Sequence, residues 1–300
     1  MIGLLSASSE ASTFSHAPRR RSVLPALLTR GSGAAWLLGL PLVFLGLFLV
    51  VPLVLLAWTT FEHGLGVIDT VFDDPLWLQS LQTTALIAVV VTAVTLVVGT
   101  AYALALGLAP GWVKAILLVS ILAILWSSLL VRTYGWILIY LPTGIIYQVL
   151  GWLGFSPQPL SIYQTSTAMY PAMIHVMLPS MILPVYASVR RLDTSQVRAA
   201  QTLGARPLLV LRKVVLPQLR PGMLAGGILV FLSALGFYVT PQLLGSPFSP
   251  TVAMLIGIVF NRQDAFDEAT AMSLILILTV AVLYVLADRL FRVSEQWGRQ

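Results

Sequence analysis

Six stretches of about twenty or more apolar residues dominate this chain, at 34–60, 81–108, 115–140, 165–189, 223–245 and 269–287. At 1.5 Å per residue each is long enough to cross a hydrocarbon core of about 30 Å. None alternates as a strand would, and a backbone in lipid must satisfy its hydrogen bonds within itself, so all six are expected to be helices. Met254–Phe260 is apolar but too short to cross and is expected to be half-buried or interfacial. With 58% apolar and only 9% charged residues, the chain could not cover a soluble core. It has no cysteine, which removes disulfides and thiolate metal sites.

Charge then sets the topology. Of the 17 cations, fifteen precede the first stretch, lie between the second and third or the fourth and fifth, or follow the sixth. The exceptions are Arg262, in an opposite loop, and Arg132, inside the third stretch. Seven of the eleven acids (Glu62, Asp69, Asp73, Asp74, Asp264, Asp267 and Glu268) take the other face. Positive residues remain cytoplasmic, so an even number of spans with both termini inside is expected. The net charge of +6 therefore reports topology rather than a nucleic-acid partner. The expected organisation is an uncleaved cytoplasmic tail over 1–33, its first 18 residues disordered, a transmembrane domain over 34–288, and a cytoplasmic tail over 289–300.

One connection is long, polar and patterned: residues 190–222, RRLDTSQVRAAQTLGARPLLVLRKVVLPQLRPG. Asp193 is a good N-cap and Gln196, three residues on, forms a capping-box-like pair with it. A helix is expected from Thr194 to Leu203, stopped by Gly204 in the left-handed conformation. Pro207 opens a second short helix, which Pro217 is expected to end. Ala199, Ala200 and Gly204 leave one side of the first helix nearly flat, and Arg198, Arg206, Arg212 and Lys213 ring it with positive charge. Such a surface suits docking into a groove with an acidic rim; equally, alanine is a helix former and arginine obeys the orientation rule.

This segment resembles the EAA loop of the transmembrane subunits of bacterial ABC importers. Ala199, Ala200, Gly204, Val214, Leu216 and Pro217 fall on that pattern, whereas Arg198 stands where the family has Glu. SSLLVRTYGW (Ser127–Trp136), the run Leu183-Pro184-Val185-Tyr186 and LSALGFYVTPQLLGSP (Leu232–Pro247) make the chain similar to polyamine-type permeases of the spermidine/putrescine kind. The resemblance implies an all-α, six-span type I importer permease of the bacterial inner membrane. Its implied partners are an ABC ATPase dimer, a second and different permease, and an extracytoplasmic binding protein. The ATPase would be engaged by Arg198, Ala199, Ala200, Leu203, Gly204, Ala205, Leu216 and Pro217. ATP and Mg would sit on that partner, with no cofactor on this chain. Related permeases often carry Glu at the position of Phe237, so opine-like and other small organic ions stay open beside polyamines.

Two features bear on the energy source without the resemblance. Neither lysine, Lys114 or Lys213, sits in a GxxxxGK[ST] phosphate loop. No Asp or Glu lies within the six stretches, which speaks against the alternative of an ion-coupled secondary transporter. The histidines His16, His63 and His175 are dispersed, and no catalytic constellation occurs. Arg132, about 27 Å from the cytoplasmic start of its span, either snorkels to the outer headgroups or faces the pathway with Tyr134. Phe237, Tyr238 and Thr240, ahead of or beside the kinking Pro241, line a translocation cavity or form part of an interfacial aromatic belt.

Overall fold

The computed structural model describes residues 32–62, 64, 66–154, 162–262 and 264–291. The expected disordered segment 1–18, most of the N-terminal tail and residues 292–300 lie outside them. Helix is the regular structure throughout the described residues. The chain divides after Leu55 into two units. Up to Leu55 the described part is the body of α1 (Ser32–Glu62), whose side chains from Leu40 to Val51 are exposed and apolar on nearly every side, as suits a helix solvated by lipid.

The second unit holds every later element. In order these are α2 (Gly66–Asp73), α3 (Pro75–Leu108), α4 (Gly111–Trp126), α5 (Leu129–Tyr140), α6 (Ile145–Trp152), α7 (Met169–Val189), α8 (Thr194–Thr202), α9 (Pro207–Val210), α10 (Leu216–Leu235), α11 (Val239–Leu244), α12 (Val252–Phe260) and α13 (Phe266–Phe291). Among the described residues, six segments are long and apolar enough to cross a membrane: Gly39–Glu62, Pro75–Leu108, Leu129–Trp152, Met169–Val189, Pro207–Leu235 and Phe266–Leu290.

The core is the three-helix contact of α3, α7 and α10. Lipid tails are as apolar as leucine, so these helices gain by close approach rather than by leaving water. Met181 of α7 fills the space that two glycines leave. A methyl on Gly99 of α3 would stand 2.6 Å from its Cγ, and one on Gly226 of α10 would stand 2.9 Å from its Sδ. A turn earlier in α10, Gly222 lies directly on the backbone of Pro184 and Val185. The buried Thr95 hydroxyl of α3 is satisfied within its own helix, donating to the Val91 carbonyl.

Three sequence expectations are corrected. The stretch 115–140 is not one helix: α4 stops and α5 restarts around Ser127 and Ser128, both extended. The Ser127 hydroxyl bonds back to the Ile124 carbonyl, the local competition through which serine favours helix ends. The stretch 223–245 breaks at Gly236–Tyr238, between α10 and α11. Met254–Phe260 is half-buried as expected: Met254, Leu255 and Val259 of α12 are buried, whereas Phe260 is 56% exposed, and the helix packs on α13 and α3. Its start is pinned where the Val252 N–H donates to Thr84 Oγ1 at 2.8 Å.

Finally, Pro217 does not end the second helix of the polar connection. A π-turn at Leu211–Val215 precedes it, in which the Leu216 N–H reaches back five residues to the Leu211 carbonyl. Widening the helix by one residue there shifts the ladder before proline's missing N–H is needed. The path from α9 into α10 is thus nearly continuous.

Candidate functional site

The polar hairpin is organised at both ends by local chemistry. At the N-cap of α8, Asp193 Oδ1 accepts from the Ser195 N–H at 2.9 Å and from the Ser195 hydroxyl at 2.6 Å, and its Oδ2 accepts from Gln196 Nε2 at 3.0 Å. These donors, the Ser195 hydroxyl foremost, hold the Asp193 carboxyl below the usual carboxylate range. At the other end Gly204 adopts φ +76°. The Ala205 N–H bonds to the Ala200 carbonyl and the Gly204 N–H to the Gln201 carbonyl, the paired bonds of a Schellman stop.

The expected capping box takes a different form. Gln196 turns its amide N–H to the Asp193 carboxylate instead of accepting from the Asp193 backbone. That N–H is taken by Gln218 Oε1 of α10 at 3.0 Å, while Gln218 Nε2 reaches Gln196 Oε1 at 3.4 Å. A glutamine 25 residues downstream thus ties the start of α8 to the foot of a membrane helix. Sequence reasoning missed Gln218; the polar residue directly after Pro217 was the available signal.

No side chain of α8 is buried. Arg198, Ala199, Gly204, Arg206, Arg212 and Lys213 are exposed, Ala200, Ala205, Leu216 and Pro217 are half-buried, and Leu203 is 88% exposed. Leu208 and Leu209 of α9 are exposed as well, so the hairpin carries an apolar tip within its ring of arginines.

At the opposite end of the unit, α5 and α11 pack together. Thr133 Oγ1 and Thr240 Oγ1, both fully buried, stand 3.2 Å apart. This joins the helix carrying Arg132 and Tyr134 to the break carrying Phe237 and Tyr238. Arg132 is half-buried, with its Nε 3.5 Å from the Ser128 carbonyl; Tyr134 is exposed, and Tyr238 is partly so. The Tyr238 ring rests on Gly257 of α12, and Phe237 packs on the main core. Trp136 Nε1 donates to His175 Nδ1 at 3.3 Å, which makes His175 a packed, hydrogen-bonded residue of α7. Thr133 and Trp136 are further residues that the sequence did not single out.

The described residues thus form a helical membrane unit with an exposed hairpin, capped at both ends, between two candidate crossings. Residues 101–300 match the family model of the binding-protein-dependent transport system inner membrane component, and the chain belongs to that family. It is 30% identical over 221 residues to the spermidine/putrescine transport system permease protein PotB of Escherichia coli (strain K12), covering 72% of this chain and 80% of the relative. It is 33% identical over 196 residues to the inner membrane ABC transporter permease protein YdcU of the same organism, covering 60% and 61%. The fold matches a chain of the crystal structure of a bacterial alginate ABC transporter in complex with an alginate pentasaccharide-bound periplasmic protein. That match has a TM-score of 0.71 and 18% identity, and covers 90% of this chain and 97% of the other. The protein is a multi-pass inner-membrane permease subunit of the type I ABC importer family.

Proposed function

We propose that this permease carries a small organic cation of the polyamine kind inward, driven by a separate ATPase dimer that grips the α8–α9 hairpin. The observation that carries the reading is the hairpin itself. An isolated helix of nine residues is too short to persist in water unaided, yet this one is capped at both ends and bonded to α10 while burying none of its own side chains. Its surface is therefore free for another protein. The likeness to a spermidine/putrescine permease over most of the chain supports the solute class, with opine-like solutes as the neighbouring choice.

In this reading the hairpin and both termini are cytoplasmic, and ATP and Mg reside on the motor subunit. A binding protein delivers the solute to the far side, and a second, different permease completes the path. Arg198, Ala199, Ala200, Leu203, Gly204 and Ala205 meet the ATPase, while Leu216 and Pro217 pass its movement into α10. The breaks at Ser127–Ser128 and Gly236–Tyr238 serve as hinges, and the Thr133–Thr240 contact makes α5 and α11 move together. Arg132, Tyr134, Phe237, Tyr238 and Thr240 then line the outer part of the path.

The absence of native cysteine permits a direct test. A single cysteine at Ala200 is expected to react with a membrane-permeant maleimide in cells and to be shielded when the ATPase is present. Labelling from outside, or no shielding on assembly, overturns the assignment of the hairpin. In proteoliposomes holding the full complex, spermidine uptake is expected to require ATP; uptake driven by an ion gradient without nucleotide would favour a secondary transporter. Uptake undiminished by Arg132→Gln would remove Arg132 from the path and leave it a headgroup anchor.

A further inference from the structure

Between α3, α10 and α13 runs a groove of about 400 Å³, lined by Leu96, Met223, Gly227, Phe231, Leu286 and Leu290 among others. Thr92 is the one residue in its described lining that is not apolar or glycine. We infer that this groove seats one acyl chain of an anionic phospholipid from the leaflet on the hairpin side, with the lipid phosphate at Arg220.

Its length matches one leaflet. Met223 to Leu232, the two ends of its α10 wall, are nine residues and so about 14 Å apart, against about 15 Å for half a hydrocarbon core. Its depth matches too: the groove begins at the hairpin end of α10 and of α13 and ends mid-helix, opposite Thr92 of α3. A volume of about 400 Å³ over that length leaves a mean cross-section of about 30 Å², enough for an extended hydrocarbon chain.

Charge complementarity supplies the headgroup. Arg220 precedes Met223, Leu224 and Gly227 by three, four and seven residues, so it lies on the groove-lining face of α10, one turn beyond the mouth. It is exposed and has no hydrogen bond or ion pair among the described residues. Arg289 is exposed in the last turn of α13, one residue before the lining residue Leu290. A guanidinium–phosphate pair at the bilayer surface is a strong, charge-assisted contact.

Gly227 gives a clean probe, because a methyl placed there meets nothing within 4 Å. A bulkier residue at this point starts from open space and extends into the groove. The assembled transporter, extracted in mild detergent from membranes containing phosphatidylglycerol and phosphatidylethanolamine, is analysed by native mass spectrometry. Wild type and Gly227→Ala are expected to retain phosphatidylglycerol, Gly227→Leu to lose it at least about tenfold, and Arg220→Gln to retain lipid without headgroup preference. Each variant is first checked for an unchanged complex mass and a melting temperature no lower than that of wild type, and a plugging variant that fails is replaced by Gly227→Val. Retention of phosphatidylglycerol by a folded, plugged variant overturns the proposal, as does lipid-free wild type. Disulfide formation between Gly227→Cys and a helix of the second permease would show a protein occupant and overturn it equally.

Discussion

The backbone N–H of Asp193 donates to the side-chain oxygen of Gln218 at 3.0 Å, so the N-cap of the hairpin helix hangs from the base of α10. A helix N-cap ordinarily leaves this donor to its own third residue or to water. Here a membrane helix supplies the acceptor, so the start of α8 is bonded to the span that ends at the Gly236–Tyr238 break.

Replacing Gln218 tests that bond. Gln218→Ala is expected to leave the protein folded and its ATPase partner bound, and to reduce solute uptake per ATP hydrolysed roughly fivefold, the worth of one ordinary hydrogen bond. Gln218→Glu keeps the acceptor and should retain most of the coupling. Parallel measurement of uptake and ATPase rate in proteoliposomes separates a coupling defect from a binding defect.

The cap at Asp193 predicts a pH dependence. Its carboxyl is held lower in the folded state than in the unfolded chain by the Ser195 hydroxyl and amide and by Gln196. The contribution of the cap is therefore fully present above the ordinary carboxylate value of about 3.9 and disappears as pH falls through the lowered folded value. Hydrogen exchange at the Ser195 amide should lose protection at the acid end of this range, after correction for intrinsic rates. In Asp193→Asn, which caps without titrating, the profile should be flat; a fall of equal size there would assign the effect to another group.

Gly222 and Gly227 sit five residues apart on one helix and should respond oppositely. A methyl at Gly222 meets the Pro184 carbonyl and the Val185 Cα, which lies 2.9 Å away. These are backbone atoms that cannot turn aside, so Gly222→Ala should cost about 2 kcal/mol. Gly227→Ala meets no neighbour and should gain about 0.5 kcal/mol from helix propensity. Thermal unfolding in detergent reads both.

The hydroxyl pair of Thr133 and Thr240 should show a modest coupling. A double-mutant cycle with Thr133→Val and Thr240→Val is expected to return about 0.6 kcal/mol, the typical value for a polar contact between membrane helices. Uptake should fall more steeply than stability in both single variants if α5 and α11 move as one body.

The number of membrane crossings and the place of the hairpin are legible in the sequence alone, because both follow from one-dimensional properties. Apolar length against bilayer thickness marks the spans, and caps such as Asp193, Gly204 and Pro207 act on backbone groups within a few residues of themselves. Which face of each span meets a neighbour was not legible. Lipid and protein interior are equally apolar, so the periodicity that betrays a buried face in water is missing, and the meeting of Met181 with Gly99 and Gly226 has no signature along the chain.

The same limit explains the other differences. Ser127 and Ser128 break a stretch whose hydropathy reads as continuous, and the π-turn before Pro217 depends on one shifted hydrogen bond. The partnership of Asp193 with Gln218 and the groove beside Gly227 each require distant segments to be set side by side. Local preference and solvent matching could specify how many crossings there are and where the hairpin lies. Side-chain shape between helices, where lipid offers no contrast, specified how they fit together and what they leave open.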